Sequence, residues 1–216
     1  MSELFDVLGQ AWVYFLAHQG EFLAALREHL ALVGVALGAA VVLAIPLGVL
    51  TARSRWASVA VMNTINALRV VPSLAVLFLV VPVLGLNARS AAVALVLLAL
   101  PPVLLNTDAA FRNLDPAVLE SARSTGMTRR QILWRIEFPL ALPVILTGIR
   151  TATVEVVASA TLAAFVGSGG LGIYITRGFA LYDYAILMVG AVPVALLTLA
   201  LEGVLAGLQR MAQLPA

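Results

Sequence analysis

The stretch from Asp115 to Pro143, DPAVLESARSTGMTRRQILWRIEFPLALP, is a long polar island between two blocks of almost unbroken apolar sequence. Its residues predict two short helices joined at a glycine. Asp115 is a favourable N-cap, and Gly126 readily adopts the left-handed conformation that ends a helix. Thr128 opens the second, arginine-rich helix with a capping box, and Pro139 is expected to end it. The stretch therefore predicts a compact cationic hairpin on the cytoplasmic side of a membrane.

The composition identifies an integral membrane protein. Of its 216 residues, 62% are hydrophobic and 11% are charged, compared with about 45–50% and about 25% in soluble domains. The chain contains no cysteine, which excludes disulfide bonds, thiolate metal sites and a cysteine nucleophile. All 13 basic residues are arginine, so no lysine is present to build a phosphate-binding P-loop. Any ATP that drives this protein must be hydrolysed by another polypeptide.

Hydropathy predicts an all-α fold with five spans, each near the roughly 20 residues that a bilayer requires. An N-terminal segment, 1–29, is expected outside the cytoplasm or at the membrane interface, with the two histidines as ordinary interfacial side chains. The transmembrane domain, 30–208, includes the cytoplasmic loop 112–140, and a short cytoplasmic tail, 209–216, follows it. The spans are expected at 30–50, 60–84, 91–108, 141–166 and 185–208.

The second span contains polar residues and a proline that interrupt its hydropathy: Asn63, Asn66, Arg69 and Val71-Pro72. Two interpretations are open. Either the helix is broken and lines a cavity, or residues 57–70 lie at the membrane surface and residues 70–84 cross it.

The fourth span contains an ionisable residue, Glu155, near the middle of the bilayer. A carboxylate at that depth costs several kcal/mol unless it is paired or hydrated, so Glu155 is expected to face the bundle interior. It either lines the path of a solute or is a buried partner of Arg150 or Arg69. At the exit of the third span, Asp108 and Arg112 are spaced for an ion pair.

The distribution of arginines predicts the orientation of the chain. The loops and tail on the hairpin side contain eight arginines, namely Arg53, Arg55, Arg112, Arg123, Arg129, Arg130, Arg135 and Arg210. The opposite side contains three, namely Arg27, Arg89 and Arg177. The positive-inside rule therefore places the hairpin and the C-terminus in the cytoplasm and the N-terminus outside.

The hairpin also carries a family signature. Glu120-Ser121-Ala122, followed by Gly126, Ile136 and Phe138-Pro139, resembles the pattern E-A-A-x3-G-x9-I-x-L-P of binding-protein-dependent ABC importer permeases, with Ser121 and Phe138 as departures. The resemblance implies a type I importer permease fold. It also implies that this loop is the coupling helix that docks into an ATPase subunit. The residues that carry this coupling role are Glu120, Ser121, Ala122, Gly126, Ile136 and Pro139.

A second resemblance covers about residues 22–208. The runs 148–152 and 160–167, ending in Gly169-Gly170-Leu171-Gly172, are similar to permeases that import glycine betaine, choline, carnitine and related osmoprotectants. This similarity implies a bacterial or archaeal cytoplasmic membrane and surrounding lipid. It also implies a second permease subunit, either another copy or a sibling chain, two ATPase subunits that use ATP, and an extracytoplasmic binding protein.

Five residues in and after the fourth span are candidates for the solute path or its gate: Glu155, Thr161, Gly167, Gly169 and Gly170. Glu155 matches nothing in the subfamily pattern. The run 167–172 also matches the dinucleotide signature G-x-G-x-x-G, but a membrane span precedes it where that signature needs a strand. A glycine-rich turn at the membrane boundary is the better interpretation.

Other classes of protein are weighed against the importer permease. A secondary carrier for a small solute usually shows inverted repeats and more intramembrane ionisable groups, and neither is evident here. An importer permease for another small solute, such as an amino acid, has the same architecture. An intramembrane enzyme would need Glu155 with Asp108 or Asp183, yet the two aspartates fall near opposite membrane faces. We therefore expect a transport subunit without catalytic residues, metal site, bound cofactor or nucleic-acid partner.

Overall fold

The structure is a computed structural model that describes residues 2–213. Within this range the chain is helical, and no strand is present. The α-helices are α1 (Ser2–Ala17), α2 (Gln19–Arg53), α3 (Arg55–Val70), α4 (Ser73–Leu84), α5 (Ala88–Arg112), α6 (Pro116–Ser124), α7 (Arg129–Ile132), α8 (Phe138–Ala160), α9 (Gly172–Leu181) and α10 (Tyr184–Ala212). A π-helical turn, Leu133–Glu137, joins α7 to α8, and a 3₁₀ turn, Leu162–Val166, follows α8.

Four helices in the described range are long and apolar enough to cross a membrane. They are α2, α5, α10 and the continuous helix Arg129–Ala160, which joins α7, the π-helical turn and α8. The pair α3 and α4 makes a fifth crossing if it is counted as one bent span. The predicted fold class, an all-α membrane protein with five spans, is confirmed in this form.

The second predicted span is a broken helix. α3 and α4 meet at an angle of 104°, at Val71-Pro72. Proline disfavours helical conformation in the residue before it, and Val71 is extended, with φ −74° and ψ 124°. α4 has 12 residues, too few to cross a bilayer alone. The break at Val71-Pro72 makes the pair a broken span or a re-entrant loop, and the position of α3 within the membrane or at its surface stays a prediction.

The N-terminal segment is more ordered than the sequence predicts. α2 has 35 residues and begins at Gln19, so the first membrane helix extends well into the segment assigned to the interface. α1 packs against α10. His29 is completely buried, so its prediction as an interfacial side chain is wrong. Helical periodicity explains the burial, because His29 lies on the same face of α2 as Ala25, Val33 and Ala36.

The predicted helix caps of the hairpin are confirmed. The Asp115 side chain accepts a hydrogen bond from the backbone N–H of Ala117 at 2.8 Å, and Thr128 makes a complete capping box with Gln131. Gly126 has a φ of +77°. Pro139, however, does not end the second helix. It lies in the first turn of α8, where a missing N–H is tolerated, and the π-helical turn before it keeps the helix continuous.

The core is built by small residues that bring α2, α5 and α8 close together. Ala36, Ala40 and Ala44 on α2 are completely buried. On α8, a Cβ at Gly148 would lie 2.6 Å from the carbonyl oxygen of Pro102 on α5, so only glycine permits this contact. Without a hydrophobic driving force between membrane helices, such close backbone packing supplies much of the association energy. α5 is consequently the central helix of the fold.

Candidate functional site

The hairpin, which comprises α6, α7 and the turn between them, presents most of its signature residues to the surface. Glu120, Ser121 and Gly126 are exposed, whereas Ala122 is buried. The turn is closed by backbone hydrogen bonds from Gly126 to Arg123 at 3.0 Å and from Met127 to Ala122 at 3.3 Å. The left-handed conformation of Gly126 makes this closure possible. The remaining signature residues, Ile136 and Pro139, are half-buried where the hairpin continues into α8.

Two arginines tie the hairpin end of the bundle together. Arg53, at the end of α2, forms an ion pair with Glu137 in the π-helical turn, at 2.6 Å. Arg112 pairs with Asp108 at 2.8 Å, which confirms the pair expected from their spacing. Arg112 also donates to the backbone oxygen of Thr51 at 3.1 Å and to the Ser58 hydroxyl at 2.9 Å. It thereby joins α2, α3 and α5, which sequence spacing alone does not indicate.

α8 carries a polar stripe, which we define as Thr147, Thr151 and Glu155. These residues are spaced four apart, so they share one face of the helix, and all three are exposed in the single chain. The expectation that Glu155 faces the interior of this bundle is therefore wrong. The hydroxyl groups of Thr147 and Thr151 donate to backbone carbonyls one turn earlier, at 3.2 and 3.1 Å.

The predicted ion pair between Glu155 and Arg150 is also wrong. Arg150 pairs with Glu202 of α10, where its Nε donates to Oε1 at 3.1 Å. Gln209 extends this contact. Arg150 donates to the side-chain oxygen of Gln209, and Nε2 of Gln209 donates to the carbonyl oxygen of Pro143 at 3.0 Å. Sequence reasoning missed Glu202, although a carboxylate inside a predicted span signals that a cationic partner is needed.

Glu155 has no such partner in the part of the chain that the structure describes, since no ion pair among residues 2–213 includes it. Glu155 lines an open cavity of about 450 Å³ between α8 and α10. Two carboxylates, one guanidinium and two hydroxyl groups line this cavity, from Thr147, Arg150, Thr151, Glu155 and Glu202. The arrangement suits a cation or a zwitterion with an exposed positive group.

The glycine loop, residues 167–172, closes the opposite end of α8 from the hairpin. Gly167, Gly169 and Gly170 all have positive φ values, between +76° and +81°. The backbone N–H of Gly170 donates to Oε2 of Glu28 on α2 at 3.0 Å, and His29 packs beneath the same glycine. Sequence reasoning missed Glu28 and His29, because 142 positions separate Glu28 from its partner.

The predicted site residues thus form separate groups. Thr161 and the glycine loop meet at one end of α8, where a Cβ at Gly172 would lie 2.0 Å from the carbonyl oxygen of Thr161. Glu155 lies six residues before Thr161, about 9 Å along the helix. The hairpin signature lies at the other end, and from Pro139 to Thr161 the helix rises about 33 Å. One continuous helix therefore connects the hairpin, the polar stripe and the glycine loop.

This arrangement is that of a multi-pass membrane protein with a structured, arginine-rich hairpin at one end of its helix bundle. The model of the family described as "Binding-protein-dependent transport system inner membrane component" matches residues 44–213. The chain belongs to this family. It is accordingly a multi-pass inner-membrane subunit of an ABC importer, without an ATPase motif of its own, and the family implies a separate ATPase and a substrate-binding protein as partners.

Curated relatives cover nearly the whole chain. The chain is 38% identical to the glycine betaine/carnitine/choline transport system permease protein OpuCB of Bacillus subtilis, over 94% of both chains. It is 41% identical to the carnitine transport permease protein OpuCB of Listeria monocytogenes, over 84% of both. It is 36% identical to the osmoprotectant import permease protein OsmW of Salmonella typhimurium, over 91% of this chain and 94% of that protein.

Solved structures agree with the fold. A chain of the MetNI methionine ABC transporter, in an inward-facing conformation, superposes with a TM-score of 0.80 at 22% identity, covering 91% of this chain and 98% of that one. A chain of an amino acid ABC transporter superposes with a TM-score of 0.70 at 18% identity, covering 92% and 95%. At these identities the likeness establishes the type I importer permease fold and nothing about the solute.

The contact between Glu28 and the glycine loop predicts different costs for two similar substitutions. Gly167 and Gly169 have nearly equal positive φ values, so alanine strains the backbone at both positions. At Gly169 a Cβ would also lie 2.2 Å from Oε2 of Glu28, so the carboxylate must move and Gly170 loses its acceptor. We expect Gly169→Ala to cost about 1 kcal/mol more than Gly167→Ala, or roughly 2–4 °C in thermal unfolding in detergent.

A Glu28→Ala background provides the control for this comparison. Without the carboxylate, the difference in cost between Gly169→Ala and Gly167→Ala should shrink by about 1 kcal/mol, because only backbone strain remains. The same difference in both backgrounds would show that the contact between Glu28 and the glycine loop does not stabilise the fold.

Proposed function

We propose that this chain forms the solute path of an ATP-driven importer for glycine betaine, choline, carnitine or related quaternary amines. The observation that carries the proposal is the polar stripe of α8, which a single chain leaves exposed on a membrane-spanning helix. The similarity to permeases named for these three solutes supports the solute class. The importer would lie in the cytoplasmic membrane of a bacterium or archaeon, with the N-terminus outside and the C-terminus inside.

The physical argument begins with the cost of placing Glu155 against lipid. A charged side chain at the centre of a membrane helix costs about 2.5–3.5 kcal/mol on insertion scales. Neither a hydrogen bond nor an ion pair within residues 2–213 offsets this cost for Glu155. We therefore infer that the polar stripe meets water and a second permease subunit rather than lipid. The second subunit would be another copy of this chain or a sibling.

The solute chemistry fits the same cavity. Quaternary amines carry a diffuse positive charge that cannot donate a hydrogen bond, so a nearby carboxylate and hydroxyl groups attract them without holding them tightly. With two carboxylates and one guanidinium, the cavity beside the polar stripe has a net negative charge. We propose that Glu155 guides the positive group of the solute, and that Thr161, Gly167, Gly169 and Gly170 form the outer boundary of its path.

The helix Arg129–Ala160 would couple transport to the ATP cycle of the partner subunits. Two partner ATPase subunits would bind the ATP, and the hairpin residues Glu120, Ser121, Ala122, Gly126, Ile136 and Pro139 would dock into one of them. When the ATPases close, the hairpin would move, and the helix Arg129–Ala160 would carry the displacement toward the glycine loop as one rigid element. An extracytoplasmic binding protein would deliver the solute. No observation on this chain favours a secondary carrier or an amino acid permease.

A matched pair of substitutions tests the role of Glu155. Glu155→Gln removes a carboxylate that forms no ion pair within residues 2–213, whereas Glu202→Gln removes the partner of Arg150. We expect Glu155→Gln to leave thermal stability unchanged and to slow choline uptake into proteoliposomes about tenfold, equivalent to about 1.4 kcal/mol. Glu202→Gln should lower the stability of the subunit. If both variants lose stability and uptake in parallel, Glu155 has a structural role.

The conformation of Gly126 provides a test of coupling. Valine is strained at a φ of +77°, so Gly126→Val should distort the turn between α6 and α7 although open space surrounds the position. We expect the variant to assemble in the membrane but to lose most ATP-driven uptake. Thr125→Val introduces the same side chain one position earlier, where φ is −81°, and should transport normally. Normal uptake by Gly126→Val would contradict docking through this hairpin.

A further inference from the structure

A second cavity lies between the hairpin and the ends of the membrane helices, distinct from the cavity beside the polar stripe. Its volume is about 720 Å³. One wall consists of Ala52 and Phe111, from the ends of α2 and α5, and the other consists of residues from the hairpin. The cavity therefore lies at the hairpin end of the bundle, beside the ends of two membrane-spanning helices.

The charge of this cavity is strongly unbalanced. Arg53, Arg123 and Arg129 line it together with one carboxylate, that of Glu137. Glu137 is already engaged, because it forms the 2.6 Å ion pair with Arg53. Within residues 2–213, Arg123 and Arg129 make neither an ion pair nor a side-chain hydrogen bond. Two guanidinium groups therefore line one concave space without an ion-pair partner among the described residues.

The rest of the lining is apolar. Leu119 and Met127 lie on the same side of the hairpin as Arg123, at intervals of four residues, and Phe111 and Ile132 complete the surface. Glu120 and Ser121 are exposed and do not line the cavity, so the hairpin retains a separate outer surface for docking. A ligand that matches the cavity combines a negative charge with an apolar portion.

The geometry points to an anionic phospholipid: we propose that the cavity holds its phosphate against Arg123 and Arg129, with the glycerol and upper acyl carbons on the apolar wall. Guanidinium groups bind phosphate through paired, charge-assisted hydrogen bonds. Basic pockets between membrane helices on the cytoplasmic side are suited to anionic headgroups. Such a lipid would neutralise the repulsion between the two arginines and would fill the space beneath the hairpin.

The test compares lipid binding to the purified full-length chain by native mass spectrometry from detergent micelles. The probe is dioctanoyl phosphatidylglycerol, and the control is dioctanoyl phosphatidylcholine, a zwitterionic lipid without net charge. We expect the native chain to bind phosphatidylglycerol more tightly than phosphatidylcholine. Arg123→Gln and Arg129→Gln should each weaken this binding about tenfold, the loss expected for a charge-assisted hydrogen bond.

Arg130→Gln is the matched control. Arg130 adjoins Arg129, is exposed and does not line the cavity, so its substitution changes the net charge equally but should leave lipid binding unaltered. Arg129→Lys retains the charge and should keep part of the affinity, which separates loss of the site from loss of folding. Equal binding of both lipids, or equal weakening by Arg129→Gln and Arg130→Gln, would overturn the proposal. Displacement of phosphatidylglycerol by millimolar inorganic phosphate would assign the site to a soluble anion and would likewise overturn it.

Discussion

The constraint on which this structure depends is that hydrocarbon does not solvate polar groups. Polar side chains of the spans therefore need hydrogen-bond or ion-pair partners, and several find them within the chain. Arg150 is paired with Glu202 and bonded to Gln209, and Arg112 is paired with Asp108. Glu155 is different, because it lies on a membrane helix with no ion-pair partner among the described residues. We propose that water, a second subunit or both cover this surface of the chain.

The same helix that carries the polar stripe also connects the two ends of the subunit. The π-helical turn at Leu133–Glu137 allows α7 to continue into α8 in spite of Pro139, so the hairpin is not a detached loop. At the far end, Glu28 bonds the glycine loop to α2. Close packing at glycine and alanine positions holds α8 against the central helix α5. Movement at the hairpin therefore has a rigid path to the other side of the membrane.

The sequence predicts the features that depend on neighbouring residues. Asp115, Gly126 and Thr128 behave as their local chemistry indicates, because capping involves residues only a few positions apart. The number of apolar spans and the pair between Asp108 and Arg112 are also local. The partner of Arg150, the burial of His29 and the contact between Glu28 and Gly170 are not, since each depends on how distant helices pack. Burial of ionisable residues in a bundle interior predicts an inward-facing Glu155, but the packing of distant helices within this chain leaves it exposed.

The most direct test of the account uses the absence of cysteine from the native chain. A single cysteine at Thr151→Cys, in the assembled importer, is treated with a charged, membrane-impermeant thiol reagent, and the labelling rate is compared with that of Leu196→Cys on the exposed apolar surface of α10. If the polar stripe lines an aqueous solute path, Thr151→Cys reacts rapidly, and excess choline or the binding of ATP by the partner changes its rate. If Thr151→Cys reacts as slowly as Leu196→Cys under every condition, the polar stripe does not line the path.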